Sequence, residues 1–178
     1  MSGRVVDLAV NPKNPTEFYV AYATGGLWYT NNNGTSFSPV MDSAETVNCG
    51  SVTVDWNSGT IWVGTGEVNA SRSSYAGVGV LKSSDKGKTW ENLGLKDSHH
   101  ISRIWVNPSN LNEIVVAAVG HLYTTNKERG IYKSTDGGKS WKQTLFVAED
   151  AGIIDLAVSK NNPKIMFAAS WQKDRKAW

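Results

Sequence analysis

Cysteine is nearly absent. Cys49 is the one thiol in 178 residues, which excludes an internal disulfide framework and a cysteine-built zinc site. Long apolar runs are missing too, and none approaches the roughly 18–20 residues that a membrane-crossing helix needs. Nor is there an excess of one charge. Lys and Arg number 18 against 16 Asp and Glu, a net +2. No basic cluster stands out, which argues against nucleic acid and anionic membrane as partners. The first ten residues carry Arg4 and Asp7 where the apolar core of a secretory leader would fall, so they do not read as a signal peptide. Stretches of helical period are lacking as well. What is abundant is tryptophan, with 8 residues, and glycine, with 17. That points to a soluble globular domain with a substantial core.

The chain repeats itself. Thr30–Phe37, Ser83–Trp90 and Ser134–Trp141 share the pattern Ser/Thr-x-Asp/Asn-x-Gly-x-Ser/Thr-Trp/Phe, at spacings of 53 and then 51 residues. Similar apolar runs recur upstream, at 5–12, 51–57, 101–108 and 153–160. A second set follows at 17–23, 60–66, 113–120 and 164–170, and a third at 25–30, 77–83 and 130–134. Each run is short, rich in β-branched and aromatic residues, and bounded by Asn-Pro, Asn-Gly, Asp-Gly or Gly-Gly turns. One unit therefore reads as strands a, b, c and d joined antiparallel, about 50 residues in all, which is the size of a propeller blade.

These motifs resemble the Asp-box, or BNR, repeat of a β-propeller family that includes sialidases, xyloglucanase-type hydrolases and sortilin-type propellers. The sequence is most similar to bacterial envelope or secreted proteins described as sortilin-like or as "glycosyl hydrolase, BNR repeat". The strings that carry this likeness are Gly64–Glu67, Leu95–Ile104, Gly120–Leu122 with Glu128–Gly130, and Ala169–Gln172. The resemblance implies an all-β propeller with about three and a half four-stranded blades. Blade 1 spans about 4–46, blade 2 about 50–97, blade 3 about 100–149, and an incomplete blade 4 about 152–178. A partial ring of this kind is expected to need the remaining blades of a longer parent chain, or a second copy. The resemblance also implies a secreted or envelope location.

The boxes invite a catalytic or calcium-binding reading, but their chemistry suits a turn. Asp85 and Asp136 are placed to accept backbone N–H bonds, Gly87 and Gly138 to take positive φ, and Trp90 and Trp141 to fold back as apolar plugs. Ser83 and Ser134 complete the pattern. No cofactor is implied.

In an antiparallel blade the a–b and c–d turns share one face, and the b–c loops and d–a crossovers share the other. The a–b and box turns are short, so that face reads as turn chemistry only. The opposite face has long loops at 66–77 and 120–130 and holds all three histidines, so it is the expected site. The candidate ligand-binding residues are Arg72, Tyr75, His99, His100, Arg103, His121, Glu128, Arg129, Trp171 and Arg175. Trp178 is a further possible stacking platform. Aligning the inner strands on Asn11, Asn57, Asn107 and Ser159 puts Asp7, Thr53, Arg103 and Asp155 in one register, facing the channel. Glu67, Asp7 and Asp155 are the candidate catalytic carboxyls. A glycosidase needs two, about 5–5.5 Å apart if retaining and about 6.5–9.5 Å if inverting. Metal ligation by His99, His100, His121 and Glu128 has the right donor types. Against it, adjacent histidines on an extended segment point to opposite sides, and no metal is expected. Three readings follow: a recognition propeller for glycan or extended peptide, a glycoside hydrolase-like enzyme, and a structural propeller.

Overall fold

The computed structural model describes residues 3–69 and 74–173. Its strands are β1 (Val5–Val10), β2 (Phe18–Tyr22), β3 (Gly26–Thr30), β4 (Ser38–Pro39), β5 (Cys49–Asp55), β6 (Thr60–Thr65), β7 (Val80–Ser83), β8 (Glu91–Asn92), β9 (Ile101–Asn107), β10 (Asn110–Ala118), β11 (Gly130–Ser134), β12 (Lys142–Leu145), β13 (Ala151–Val158) and β14 (Met166–Gln172). A three-residue 3₁₀ turn, Lys96–Ser98, precedes β9. The strands pair as meanders. Three sheets of four run β1-β2-β3-β4, β5-β6-β7-β8 and β9-β10-β11-β12, and β13 pairs with β14. The all-β, partial-ring expectation is met.

The four first strands adjoin one another and form the inner wall. Side chains stitch each to the next sheet. The Val52 N–H donates to the Asp7 carboxylate at 3.0 Å, Thr53 Oγ1 to the Ile104 carbonyl at 2.6 Å, and Ser102 Oγ to the Ile153 carbonyl at 2.7 Å. The approach is close enough that a Cβ on Gly152 would lie 2.2 Å from the Val119 carbonyl oxygen. Alternation along each strand sends one set of side chains toward the next sheet, which builds a separate apolar layer at every junction. Leu27, Cys49 and Ile61 fill the layer between the first and second sheets, Trp62, Ile104 and Ile114 the next, and Ala117, Ile131 and Ile153 the third. Leu8 and Val10 lie on the far side of the first sheet and are exposed. Phe167, on the far side of the two-stranded sheet, is 70% exposed.

The three repeated turns have one geometry. Ser83 Oγ donates to Asp85 at 2.8 Å and accepts from the Gly87 N–H at 2.8 Å. Asp85 accepts from the Thr89 N–H at 2.9 Å and the Thr89 hydroxyl at 2.7 Å. Ser134, Asp136, Gly138 and Ser140 repeat every one of these bonds. Thr30, Asn32, Gly34 and Ser36 repeat three of them, and the fourth is reversed, the Asn32 amide donating to the Ser36 hydroxyl at 2.9 Å. The bonds from Thr89 and Ser140, side chain first, pull the Asp85 and Asp136 carboxyls down to about 2. The tryptophan that closes each of the second and third turns reaches back one sheet. Trp90 Nε1 donates to the Val40 carbonyl at 3.1 Å, and Trp141 Nε1 to the Leu93 carbonyl at 2.7 Å. Phe37 has no N–H to donate and packs edge-on against Phe18 within its own sheet. Because Asn32 supports the same turn, Asp136→Asn is expected to melt close to the wild type and Asp136→Ala clearly lower. Equal melting of the two in a thermal scan would show that the side-chain oxygen does not hold the turn.

Candidate functional site

The face bearing the b–c loops is floored by buried polar groups. Glu67, just beyond β6, is 0% exposed. Its carboxylate receives Arg4 at 3.0 and 3.2 Å and the Ser74 hydroxyl. Arg4 reaches it from just before β1, so this bond ties the first sheet to the second. His100, just before β9, is 3% exposed, lies beside the Glu67 backbone and leaves Nδ1 without a partner among the described residues. Burial, and then the neighbouring His99, push the His100 imidazole down to about 4, so it is neutral at physiological pH. The extended geometry assumed for His99 and His100 is not what the chain adopts. The 3₁₀ turn at Lys96–Ser98 ends at His99 with φ of 56°, and His99 instead stacks on His121, with centroids 3.7 Å apart and an interplanar angle of 17°. His121 is fixed by the Asp97 carbonyl at 2.9 Å and Thr124 Oγ1 at 3.3 Å. Burial and the His121 charge both lower His99. Rings stacked in this way cannot aim two nitrogens at one ion. No group of three or more His, Cys, Asp or Glu able to hold a metal is found among the described residues.

Arg129 is expected to meet ligand, yet it is 1% exposed. Its guanidinium forks onto the carbonyls of His121 at 2.5 Å, Thr124 at 3.1 Å and Asp150 at 3.3 Å, and reaches that of Lys173 at 3.5 Å. The physical reason is that the loop at 120–130 turns its carbonyls inward, and a planar five-donor group satisfies them together. Trp171 packs with Val68, Val119 and Leu122 under the loops, with the Lys173 ammonium 4.5 Å from its ring centre. Tyr75 and Tyr123 are well exposed, His121 and Glu128 partly so. Arg72, Arg175 and Trp178 lie outside the described residues.

In the channel the expected register is present. Arg103 Nε lies 2.8 Å from Asp155 and Nη1 3.6 Å from Asp7, linking the third sheet with the fourth and the first. The sequence places Ser74, Asp150 and Lys173 in the loops and crossovers of this face without giving them a role, and it does not point to Arg4. The signal available for Arg4 was a lone cation directly before an inner strand.

No family model matches the chain. One curated relative is Vacuolar protein sorting/targeting protein 10 of the yeast Kluyveromyces lactis, 36% identical over 86 residues, which is 48% of this chain and 5% of that protein. The crystal structure of an ancestral GH74 enzyme superposes with a TM-score of 0.70 at 19% identity, covering 94% of this chain and 22% of that one. YCF48 bound to D1 peptide superposes with a TM-score of 0.59 at 16% identity, over 89% of this chain and 44% of that one. By fold, the chain is a partial β-propeller. This propeller spans less than half the length of each of these relatives. No helix among its described residues is long and apolar enough to cross a membrane.

Proposed function

We propose that this propeller is a recognition module of a secreted or envelope protein, taking a glycan or an extended peptide on the face that carries the b–c loops and d–a crossovers. The observation that carries the reading is the fate of the three candidate catalytic carboxyls. Glu67 is buried against Arg4, and Asp7 and Asp155 share Arg103. All three act as ties between sheets rather than as a free acid and base facing a cleft. Above this fixed floor stand flat or polar side chains suited to contact: Tyr75, Tyr123, the edge of the His99–His121 stack, and Glu128. The partial likeness to a yeast sorting protein and the fold shared with a peptide-bound YCF48 support recognition. The ring is completed by further blades or by a second copy, against the exposed sides of the first and last sheets.

The test is a glycan array and a peptide library probed with the whole chain. Binding that weakens at least tenfold in Tyr123→Ala and His121→Ala is expected. Hydrolysis of a polysaccharide by the chain, abolished by Glu67→Gln or Asp155→Asn, would overturn the reading in favour of a glycoside hydrolase.

A further inference from the structure

The turn face is not turns alone. A cavity of about 580 Å³ opens there between the first and second blades, and one of about 550 Å³ between the third and fourth. Both are within the range of about 300–1,000 Å³ typical of small-molecule sites. They share a frame that the repeat dictates. Asn11 donates to Glu17 at 2.6 Å in the first, and Asn107 to Glu113 at 2.7 Å in the second. What differs is the wall.

One equivalent residue in the second strand of each of the first three blades decides that wall. Strand register puts Tyr19 opposite Tyr29, Trp62 opposite Lys82, and Val115 opposite Lys133, each partner being the residue just before a box. Trp62 fills its junction and is 1% exposed. Val115 leaves an aliphatic wall shared with Ile131 and Met166. Tyr19 does something else. Its ring stands 4.9 Å from Tyr29 and 5.6 Å from Trp56 of the second blade, so three aromatic rings run along one side of the cavity. Tyr19 is only 4% exposed, yet its hydroxyl makes no hydrogen bond to any described residue while it lines the cavity. That hydroxyl is not sealed off in the core, so it is open to water or a ligand in the cavity.

The other side of the cavity is polar and balanced. Glu17 takes a bond from the Tyr29 hydroxyl at 2.5 Å besides that from Asn11, and these two bonds, Tyr29 first, hold its carboxyl below the usual range. A carboxylate has about four acceptor positions, so two remain. Lys86 brings one ammonium to the same lining, its stem over Gly59. Asn57 accepts from Lys13 through Oδ1, which leaves its amide hydrogens to donate. One negative and one positive group call for a ligand of no net charge. Aromatic faces opposite mixed donors and acceptors call for a ring with an apolar C–H face and a hydroxyl rim.

We propose that the cavity between the first and second blades binds a neutral pyranose, packed against the partly exposed Tyr29 and Trp56 rings and hydrogen-bonded by the Tyr19 hydroxyl, Glu17, Lys86 and Asn57. This site lies on the face opposite the loops and does not depend on what they bind.

The test is saturation-transfer NMR on the whole chain with a panel of methyl glycosides at millimolar concentration, with adenosine and indole as flat controls. Transfer to ring C–H protons of at least one glycoside is expected, weakened at least fivefold in Tyr19→Phe and in Lys86→Met. Lys133→Met, in the aliphatic cavity, and Tyr123→Ala, on the loop face, should leave it unchanged. Tyr19→Phe removes one oxygen and keeps the ring, so a matching thermal melt separates lost binding from lost fold. No transfer to any glycoside would overturn the proposal. So would transfer undiminished in Tyr19→Phe, or binding of indole or adenosine in preference to every glycoside.

Discussion

Arg129→Met is expected to lower stability by about 2 kcal/mol, because it takes a charged donor from four inward carbonyls. Of these, the carbonyls of Asp150 and Thr124 keep another donor, from the Lys173 N–H and the Asn126 amide. The aliphatic stem of Arg129 packs onto Gly120, where a Cβ would lie 2.3 Å from Cγ, so methionine keeps much of the volume and isolates the loss of the head group. The carbonyls belong to three segments: the 120–130 loop, the crossover at Asp150, and the end of β14 at Lys173. The crossover and the strand end are otherwise joined by the Lys173 N–H to the Asp150 carbonyl at 2.7 Å and by Gln172 to the Asp150 carboxylate at 2.6 Å. The loop is joined to the crossover by the Asn126 N–H to the Glu149 carbonyl at 3.0 Å. Arg129 is thus the clamp common to all three. Hydrogen exchange should quicken across 120–130 and at the end of β14 in the variant, with the first two sheets unchanged. Arg129→Lys keeps the charge but has no planar fork, and is expected to recover only part of the stability. A chemical-denaturation midpoint within error of the wild type for Arg129→Met would show that water replaces the guanidinium at no cost.

The contrast between Arg129 and the repeated turns explains what was legible in the sequence. Box positions recur at fixed spacing, so Asp85 and Asp136 announce both a turn and the register of the strand before it. The recurring Asn11, Asn57, Asn107 and Ser159 likewise align Asp7, Thr53, Arg103 and Asp155 on the inner wall, where Arg103 pairs with Asp7 and Asp155. Local periodicity and turn residues were enough, because a meander joins strands that are neighbours in sequence. The loop face was read correctly as polar but not as folded inward. Glu67, His100 and Arg129 sit in segments rich in charge and glycine. Nothing in such a segment distinguishes a side chain that points to solvent from one that gathers carbonyls beneath it. The stacking of His99 on His121 depends on a positive φ at a non-glycine residue, which no spacing rule anticipates. The cavities on the turn face were missed for a different reason. Short turns suggest a flat surface, but the volume between blades is set by one side chain in the second strand. Tyr19, Trp62 and Val115 occupy equivalent places and give three different junctions.

Acid should weaken this propeller from about pH 6.5 downward. His100 takes up a proton near pH 6.5 when the chain is unfolded. In the native state burial, and then His99, hold it neutral down to about 4. Between those limits the unfolded chain binds more protons than the folded one, so stability falls as pH falls and levels off below the native value. The expected loss from His100 is about 1 kcal/mol by pH 5.5 and about 3 kcal/mol at pH 4. His99 is lowered as well, by burial and then by His121, and acts in the same direction. The box aspartates are held at about 2, so their stabilisation is lost mainly below about pH 4, beneath most of this window. His100→Gln keeps a donor beside the Glu67 backbone and removes the titration, so its denaturation midpoint should change far less between pH 7 and 4.5. Parallel pH profiles for the two proteins would mean that the acid sensitivity has another origin. A flattened profile would place it at the buried imidazole beneath the loop face, where protonation would also loosen the Glu67 segment and the rim that it supports.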